Sequence, residues 1–80
     1  MTVETQARLR DVLHTVAPHK DLPADDGDLF ATGVLDSFAT IELIVALERT
    51  FHLTLPNEEL TLQNFQTVSS IAALVDRLRT

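Results

Sequence analysis

Ser37 is the residue of this chain whose position most favours chemistry. It follows Asp36 at the end of a loop and precedes an amphipathic segment, so it lies at a predicted loop-to-helix junction. The first backbone N–H groups of a helix have no partner within the helix, and they favour a bound anion. A hydroxyl group at this junction is therefore well placed to carry a phosphodiester.

A role for Ser37 as a hydrolase nucleophile is disfavoured. The Gly-x-Ser-x-Gly elbow is missing, because Leu35 and Ala39 occupy its two glycine positions. We therefore expect no catalytic residue in this chain.

The sequence also indicates no metal site. Gly27 could serve as the sixth residue of a calcium loop, but Gly33 would then take the twelfth position, where a carboxylate ligand is needed. The chain has no cysteine, so any thiol chemistry would require a cofactor. The histidines share no metal-ligand spacing, and we expect them to be ordinary surface residues: His14, His19 and His52.

Hydrophobic periodicity predicts a first helix over residues 3–17, which Pro18 brings to an end. A long loop follows as far as Asp36. A loop of this length is unusual in a compact domain, which favours a functional role for it. The second helix is predicted from Ser37 to about His52, and either Asp36 or Ser37 could be its N-cap.

The remainder of the chain predicts one short helical region and a last main helix. Asn57 is expected to cap one turn, and residues 61–65 are expected to form another. The last helix begins after Thr67 as its N-cap. We therefore expect residues 1–80 to form one all-α domain, a small four-helix bundle of three main helices and one short one.

The second helix carries two apolar stripes. At about 100° per residue from Ser37, one stripe is the predicted core face and contains Leu43, Ile44, Leu47 and Phe51. The other lies beside Ser37, among charged residues. The bundle could bury this second stripe, or the stripe could be a docking surface, since charge steers an encounter and apolar contacts hold it. The predicted docking residues are Phe38, Ile41, Glu42, Val45 and Glu48.

The charge balance limits the partners that the protein can have. Twelve acidic residues against six basic ones give a formal charge of −6. This charge repels nucleic acid and anionic lipid but attracts basic protein surfaces. No apolar run approaches the length of about 20 residues that a bilayer requires, and the first residues lack the pattern of a signal peptide. We therefore expect a soluble, cytoplasmic protein without membrane insertion.

The segment Asp36-Ser37-Phe38 resembles the signature of the phosphopantetheine-dependent carrier proteins, an Asp-Ser pair followed by a large apolar residue at the start of the second helix. The similarity covers roughly residues 28–78. It implies that a 4'-phosphopantetheine arm from coenzyme A is attached to Ser37, beside Asp36. It also implies a carrier domain without enzymatic activity, whose acyl or aminoacyl cargo is held as a thioester on the arm.

Within this family, Ser37–Leu43 is most similar to D-alanyl carrier proteins and other free-standing aminoacyl or peptidyl carriers. Fatty acid synthase carriers more usually have leucine and an acidic residue where Phe38 and Ala39 stand. The resemblance therefore favours an aminoacyl cargo, or a specialised pathway of peptide or polyketide synthesis.

The same resemblance implies three partners for a monomeric carrier: a phosphopantetheinyl transferase, an adenylating or acyl-loading enzyme, and a downstream acyltransferase or condensing enzyme. The alternative is a helical interaction module without a prosthetic group. That alternative leaves the Asp36-Ser37-Phe38 junction unexplained.

Overall fold

The computed structural model describes residues 3–79, and it confirms the predicted all-α architecture. No β-strand occurs in this part of the chain. A 3-10 turn, Asn57–Glu59, lies between the second and third helices. The helices are α1 (Val3–Val16), α2 (Ser37–Phe51), α3 (Leu62–Phe65) and α4 (Val68–Arg79).

The core forms where α1 packs against both α2 and α4. Three of the four residues on the predicted core face of α2 are buried: Leu43 and Leu47 are fully inaccessible and Phe51 is 5% exposed. Ile44 is only partly buried, at the edge of the core. They meet fully buried residues of α1 and α4, among them Leu9, Leu13, Ile71 and Leu74. Burial of this apolar surface supplies the main driving force for folding.

The long loop between α1 and α2 is held in place by its few apolar residues. Leu29, Val34 and Leu35 are buried in the core, and the Leu35 N–H donates to the Leu29 carbonyl at 3.0 Å. Gly33 has a φ of 82°, a left-handed conformation that glycine adopts without steric cost. The loop therefore delivers Asp36 and Ser37 to a fixed position at the start of α2.

Asp28 fastens this loop to the segment that joins α3 and α4. Its carboxylate accepts hydrogen bonds at 2.9 Å from the backbone N–H groups of Phe30 and Ala31 and from the side-chain amide of Gln66. The Leu29 N–H donates to the Gln66 carbonyl at 2.8 Å. The hydrogen bonds from Ala31 and Gln66 lower the pKa of the Asp28 carboxyl below its ordinary value.

Replacing Asp28 with asparagine should make the free energy of unfolding vary less with pH in the acidic range. Because folding lowers this pKa, the carboxylate stabilises the fold above its unfolded-state pKa of about 3.9, and that contribution is lost as the pH falls through the folded-state value. Urea unfolding should show Asp28→Asn to be less stable than wild type at neutral pH, with the difference narrowing below about pH 4. Asp26→Asn, in the same loop, is the charge-matched control. If the difference in stability between Asp28→Asn and wild type were equal at neutral pH and below about pH 4, this account would be contradicted.

Two caps predicted in the second half of the chain have different outcomes, and a third cap, Thr61, was not predicted. The Thr61 hydroxyl caps α3 by accepting from the Asn64 N–H at 3.2 Å. Thr67 caps α4 by accepting from the Ser70 N–H at 3.0 Å. The prediction that Asn57 is a cap is wrong. Pro56 precedes the turn in an extended conformation, and its carbonyl closes the turn, so Asn57 is the first residue inside it.

Candidate functional site

Ser37 is the first residue of α2, and its side chain is exposed. Asp36 is the N-cap: its carboxylate accepts from the Ala39 N–H at 2.8 Å. The Asp36 carbonyl accepts from the N–H of Thr40 at 2.9 Å and from its hydroxyl at 2.6 Å. Asp36 therefore fixes the first turn, and the Ser37 hydroxyl is not needed as a cap.

The three serines of the chain differ in accessibility. Ser69 and Ser70 are half-buried at the start of α4. The Ser70 hydroxyl accepts from the Thr67 N–H at 3.1 Å and donates to the Thr67 carbonyl at 3.0 Å. Ser37 is exposed, and among residues 3–79 its hydroxyl has no hydrogen-bond partner. Ser37 is thus the serine that an enzyme can reach and modify without breaking an internal contact.

A groove of about 550 Å³ lies beside Ser37, between α2 and the segment that contains α3. Thr40 and Thr61 contribute hydroxyl groups to its lining. The apolar lining residues are Phe30, Ile44, Leu60, Leu62 and Phe65. Such a mixed lining, next to an accessible hydroxyl at a helix N-terminus, suits a prosthetic arm with a phosphate at one end and both amides and methyl groups along its length.

The sequence analysis assigned a site role only to Asp36 and Ser37 among the residues that line this groove, and two of those it missed are exposed leucines. Leu60 is 39% exposed and Leu62 is 63% exposed. They lie on either side of Thr61, in a stretch too short to show helical periodicity. Two leucines so close together on the short segment before Phe65 were the only signal for them in the sequence.

The second apolar stripe of α2 is exposed. Phe38 is 71% exposed, Ile41 62% and Val45 45%, and Glu42 beside them is exposed as well. The interpretation that the bundle buries both stripes is therefore wrong. A shallow groove of about 450 Å³ separates this face of α2 from the end of α1. The docking role predicted for these residues stays a prediction, but their side chains are accessible to a partner.

Glu48 differs from the other predicted docking residues. It is half-buried, and its carboxylate accepts from the Leu55 N–H at 2.9 Å. The carbonyl of the same residue accepts from the N–H groups of His52 and Leu53, where α2 ends. Glu48 thus joins α2 to the loop that follows it, a structural contact that the sequence did not indicate.

The histidines are exposed and lie apart from Ser37 in the sequence, on α1, on the loop after it and at the end of α2. Residues 3–79 contain no group of three or more histidine or acidic side chains that could hold a metal ion. Among the helices of this same range, none is both long enough and apolar enough to span a bilayer.

The fold and the exposed serine at the start of α2 define a carrier domain, and the family match agrees. Residues 6–75 match the family described as phosphopantetheine attachment site, and the chain belongs to it. The chain is similar to the D-alanyl carrier proteins of Streptococcus pyogenes, for example those of serotypes M1 and M5. The identity with each is 46% over 54 residues, which are 68% of either chain.

Solved structures have the same fold. One is a crystal structure of engineered Bradyrhizobium japonicum glycine:carrier protein ligase complexed with carrier protein from Agrobacterium tumefaciens and AMP. Its matching chain is 29% identical, with a TM-score of 0.78 over 89% of this chain and 97% of that one. The solution structure of a holo acyl carrier protein from Nitrosomonas europaea is 30% identical, with a TM-score of 0.77 over 95% of each chain.

These matches confirm the predicted class. The protein is a carrier domain of the phosphopantetheine-attachment family and not an enzyme. The interpretation as an interaction module without a prosthetic group is correspondingly disfavoured. Because the family match spans all three serines, it does not distinguish which of them is the attachment site, and the structure is needed for that choice.

Proposed function

We propose that Ser37 carries the 4'-phosphopantetheine arm, and that the holo protein holds a small amino acid as a thioester. The observation that carries the proposal is the exposure of the Ser37 hydroxyl at the first residue of a 15-residue helix, free of internal hydrogen bonds within the described part of the chain. The half-buried Ser69 and Ser70 lack this combination.

The residues around Ser37 would hold the phosphate end of the arm. The amide of Ala39 is occupied by the Asp36 carboxylate, so the N–H groups of Ser37 and Phe38 remain to face a phosphodiester. The Asp36 cap keeps this turn in place before and after modification. When bound, the arm supplies the terminal thiol that forms the thioester, a group that this cysteine-free chain lacks.

The similarity to known carrier proteins supports a small amino acid as the cargo. The similar curated proteins are D-alanyl carriers, and the similar carrier protein from Agrobacterium tumefaciens is complexed with an engineered glycine:carrier protein ligase. Both amino acids are small. We infer that an adenylating enzyme loads this carrier, after a phosphopantetheinyl transferase has modified it, and that an acyltransferase or condensing enzyme removes the cargo.

The docking surface for these enzymes is the exposed stripe of α2. Its apolar side chains lie close to Ser37 in the sequence and on the same helix, so a partner seated on them would have the modified serine within reach. The proposed docking residues are Phe38, Ile41, Glu42, Val45 and Glu48, and Glu48 also holds the loop after α2. The proposal includes a monomeric, cytoplasmic protein with one carrier domain over residues 1–80.

Intact-mass measurement tests the attachment site directly. The purified apo protein is incubated with coenzyme A and a phosphopantetheinyl transferase of broad specificity. We expect a mass gain of one phosphopantetheine, located by fragmentation in the peptide that contains Ser37. No gain, or a gain located on the peptide that contains Ser69 and Ser70, would refute the proposal.

A further inference from the structure

The groove beside Ser37, which we call the Ser37 groove, carries little charge. Within residues 3–79, Asp36 is the one ionisable residue in its lining, and that carboxylate caps α2. The groove between α1 and α2, by contrast, is lined by both Glu42 and Arg49. Away from Asp36, the Ser37 groove therefore suits a neutral ligand better than an ion, because a charge placed against neutral side chains loses hydration without gaining a partner.

Two threonine hydroxyls of this groove have complementary hydrogen-bonding capacity left over. A hydroxyl has one hydrogen to donate and two lone pairs with which to accept. The Thr40 hydroxyl donates its hydrogen to the Asp36 carbonyl at 2.6 Å, and no group in the described part of the chain donates to it. The Thr61 hydroxyl accepts from the Asn64 N–H at 3.2 Å, and across residues 3–79 its hydrogen has no acceptor. Thr40 can therefore accept from a ligand, and Thr61 can donate to one.

The two hydroxyls belong to different walls of the Ser37 groove. Thr40 is three residues after Ser37 on α2, a spacing that puts both residues on one face of the helix. Thr61 lies on the opposite wall, immediately before α3. A secondary amide has one N–H to donate and one carbonyl to accept with. A chain that contains amides can thus pair with both hydroxyls, whereas a plain hydrocarbon chain would leave both without a partner.

Attachment at Ser37 would keep the arm close to these hydroxyls, because Ser37 is itself part of the groove lining. A short flexible tether gives an effective concentration in the millimolar range, so even a groove of about millimolar affinity would hold a tethered arm for roughly half of the time. The groove volume of about 550 Å³ is within the range of small-molecule sites. Strong contacts are therefore not required for the arm to be held.

We propose that the Ser37 groove binds the amide-containing part of the phosphopantetheine arm through these two hydroxyls. Thr61 donates to an amide carbonyl of the arm, Thr40 accepts from an amide N–H, and the apolar lining contacts the methyl groups. The inference rests on the proposed function, because the arm must first be attached to Ser37. It goes further by naming the residues that position the arm while no partner enzyme is bound.

Nuclear magnetic resonance of the holo protein tests the inference. The arm is introduced from coenzyme A labelled with carbon-13 and nitrogen-15 onto unlabelled protein, and mass measurement with fragmentation first establishes that one arm is on Ser37. We expect nuclear Overhauser contacts from the arm to the side chains of Ile44 and Leu62, which line the groove. One arm amide proton should exchange with solvent about twofold more slowly than in free coenzyme A, as expected for a group bound half of the time.

Variants of the two threonines separate their roles. Thr40→Val removes the acceptor at similar side-chain shape, and it should return the amide exchange to the rate in free coenzyme A. Thr61→Asp keeps an oxygen to cap α3 but has no hydrogen to donate once ionised, so the contacts to the arm should be lost. Thr61→Ser keeps both functions and should behave as the wild type. Thr15→Val is the matched control, because that hydroxyl also donates to the carbonyl four residues earlier, at 3.1 Å, but on α1 and outside the Ser37 groove.

The outcomes distinguish this inference from the proposed function. An arm on Ser37 that makes no contact with the groove, or whose contacts survive both Thr40→Val and Thr61→Asp, would overturn the inference and leave the attachment site standing. Loss of the contacts in Thr15→Val would also overturn it, because the effect would then not depend on the groove. Failure of the arm to attach to Ser37 at all would overturn both.

Discussion

Replacing Ser37 with alanine is expected to abolish cargo loading completely while leaving the folded state as stable as the wild type. The hydroxyl is exposed and has no hydrogen-bond partner within residues 3–79, so its removal breaks no internal contact. Asp36 still caps the helix. After incubation with coenzyme A, a phosphopantetheinyl transferase, an amino acid-activating ligase and ATP, the variant should gain neither arm nor amino acid by intact mass.

Ser70→Ala is the matched control, and it should lower stability while leaving attachment of the arm unchanged. Its hydroxyl accepts from the N–H of Thr67 and donates to the carbonyl of Thr67 at the start of α4, so its loss should cost about 0.5–1.5 kcal/mol of the free energy of unfolding. The arm should still be attached. If Ser37→Ala accepts the arm and Ser70→Ala does not, the attachment site lies at α4 and the proposed function of Ser37 is wrong.

The three main helices of this fold were predictable because their apolar periodicity is long and their ends carry chemical signals. Pro18 follows α1, and the structure ends that helix two residues earlier, at Val16. Asp36, Thr61 and Thr67 each precede a helix and cap it through a side-chain oxygen. The class of protein followed from one of these junctions, because a serine next to a capping aspartate is both a structural and a chemical signal.

The exposure of the second stripe could not be predicted from the sequence. A helical projection shows the direction in which each side chain points, but not which other elements pack against it. Val45 lines the shallow groove between α2 and the end of α1, and it is 45% exposed. The short helix α3 spans four residues and packs chiefly against α4, so it does not cover this side. Burial thus depends on the tertiary arrangement of elements whose own sequence signals are weak.

The ion pairs of the fold could not be predicted for a related reason. Net charge counts every ionisable residue equally, whereas the tertiary arrangement decides which of them meet. Arg10 is paired with Asp25, and Arg77 with Glu59, although neither pair is close in sequence. Each of these ion pairs joins segments that are distant in the sequence, so a count of residue types could not predict it.

Leu47→Ala and Val45→Ala, two residues apart on α2, should have opposite consequences. Leu47 is fully buried between the main helices, so its truncation leaves a cavity and should cost about 2–5 kcal/mol. A domain with a total stability of roughly 5–15 kcal/mol can lose its fold from such a change. Val45 is half exposed, and alanine has the higher helix propensity, so that variant should unfold within about 1 kcal/mol of wild type.

The two variants therefore separate the core face of α2 from its proposed docking face. Urea unfolding followed by far-ultraviolet circular dichroism measures the stability of each, and intact mass over time measures how fast a ligase loads the holo form. Val45→Ala should load more slowly than wild type at unchanged stability. A large loss of stability with unchanged loading would instead place Val45 in the core. Because α2 buries one face and exposes another, residues two positions apart can serve the core and the proposed docking surface separately.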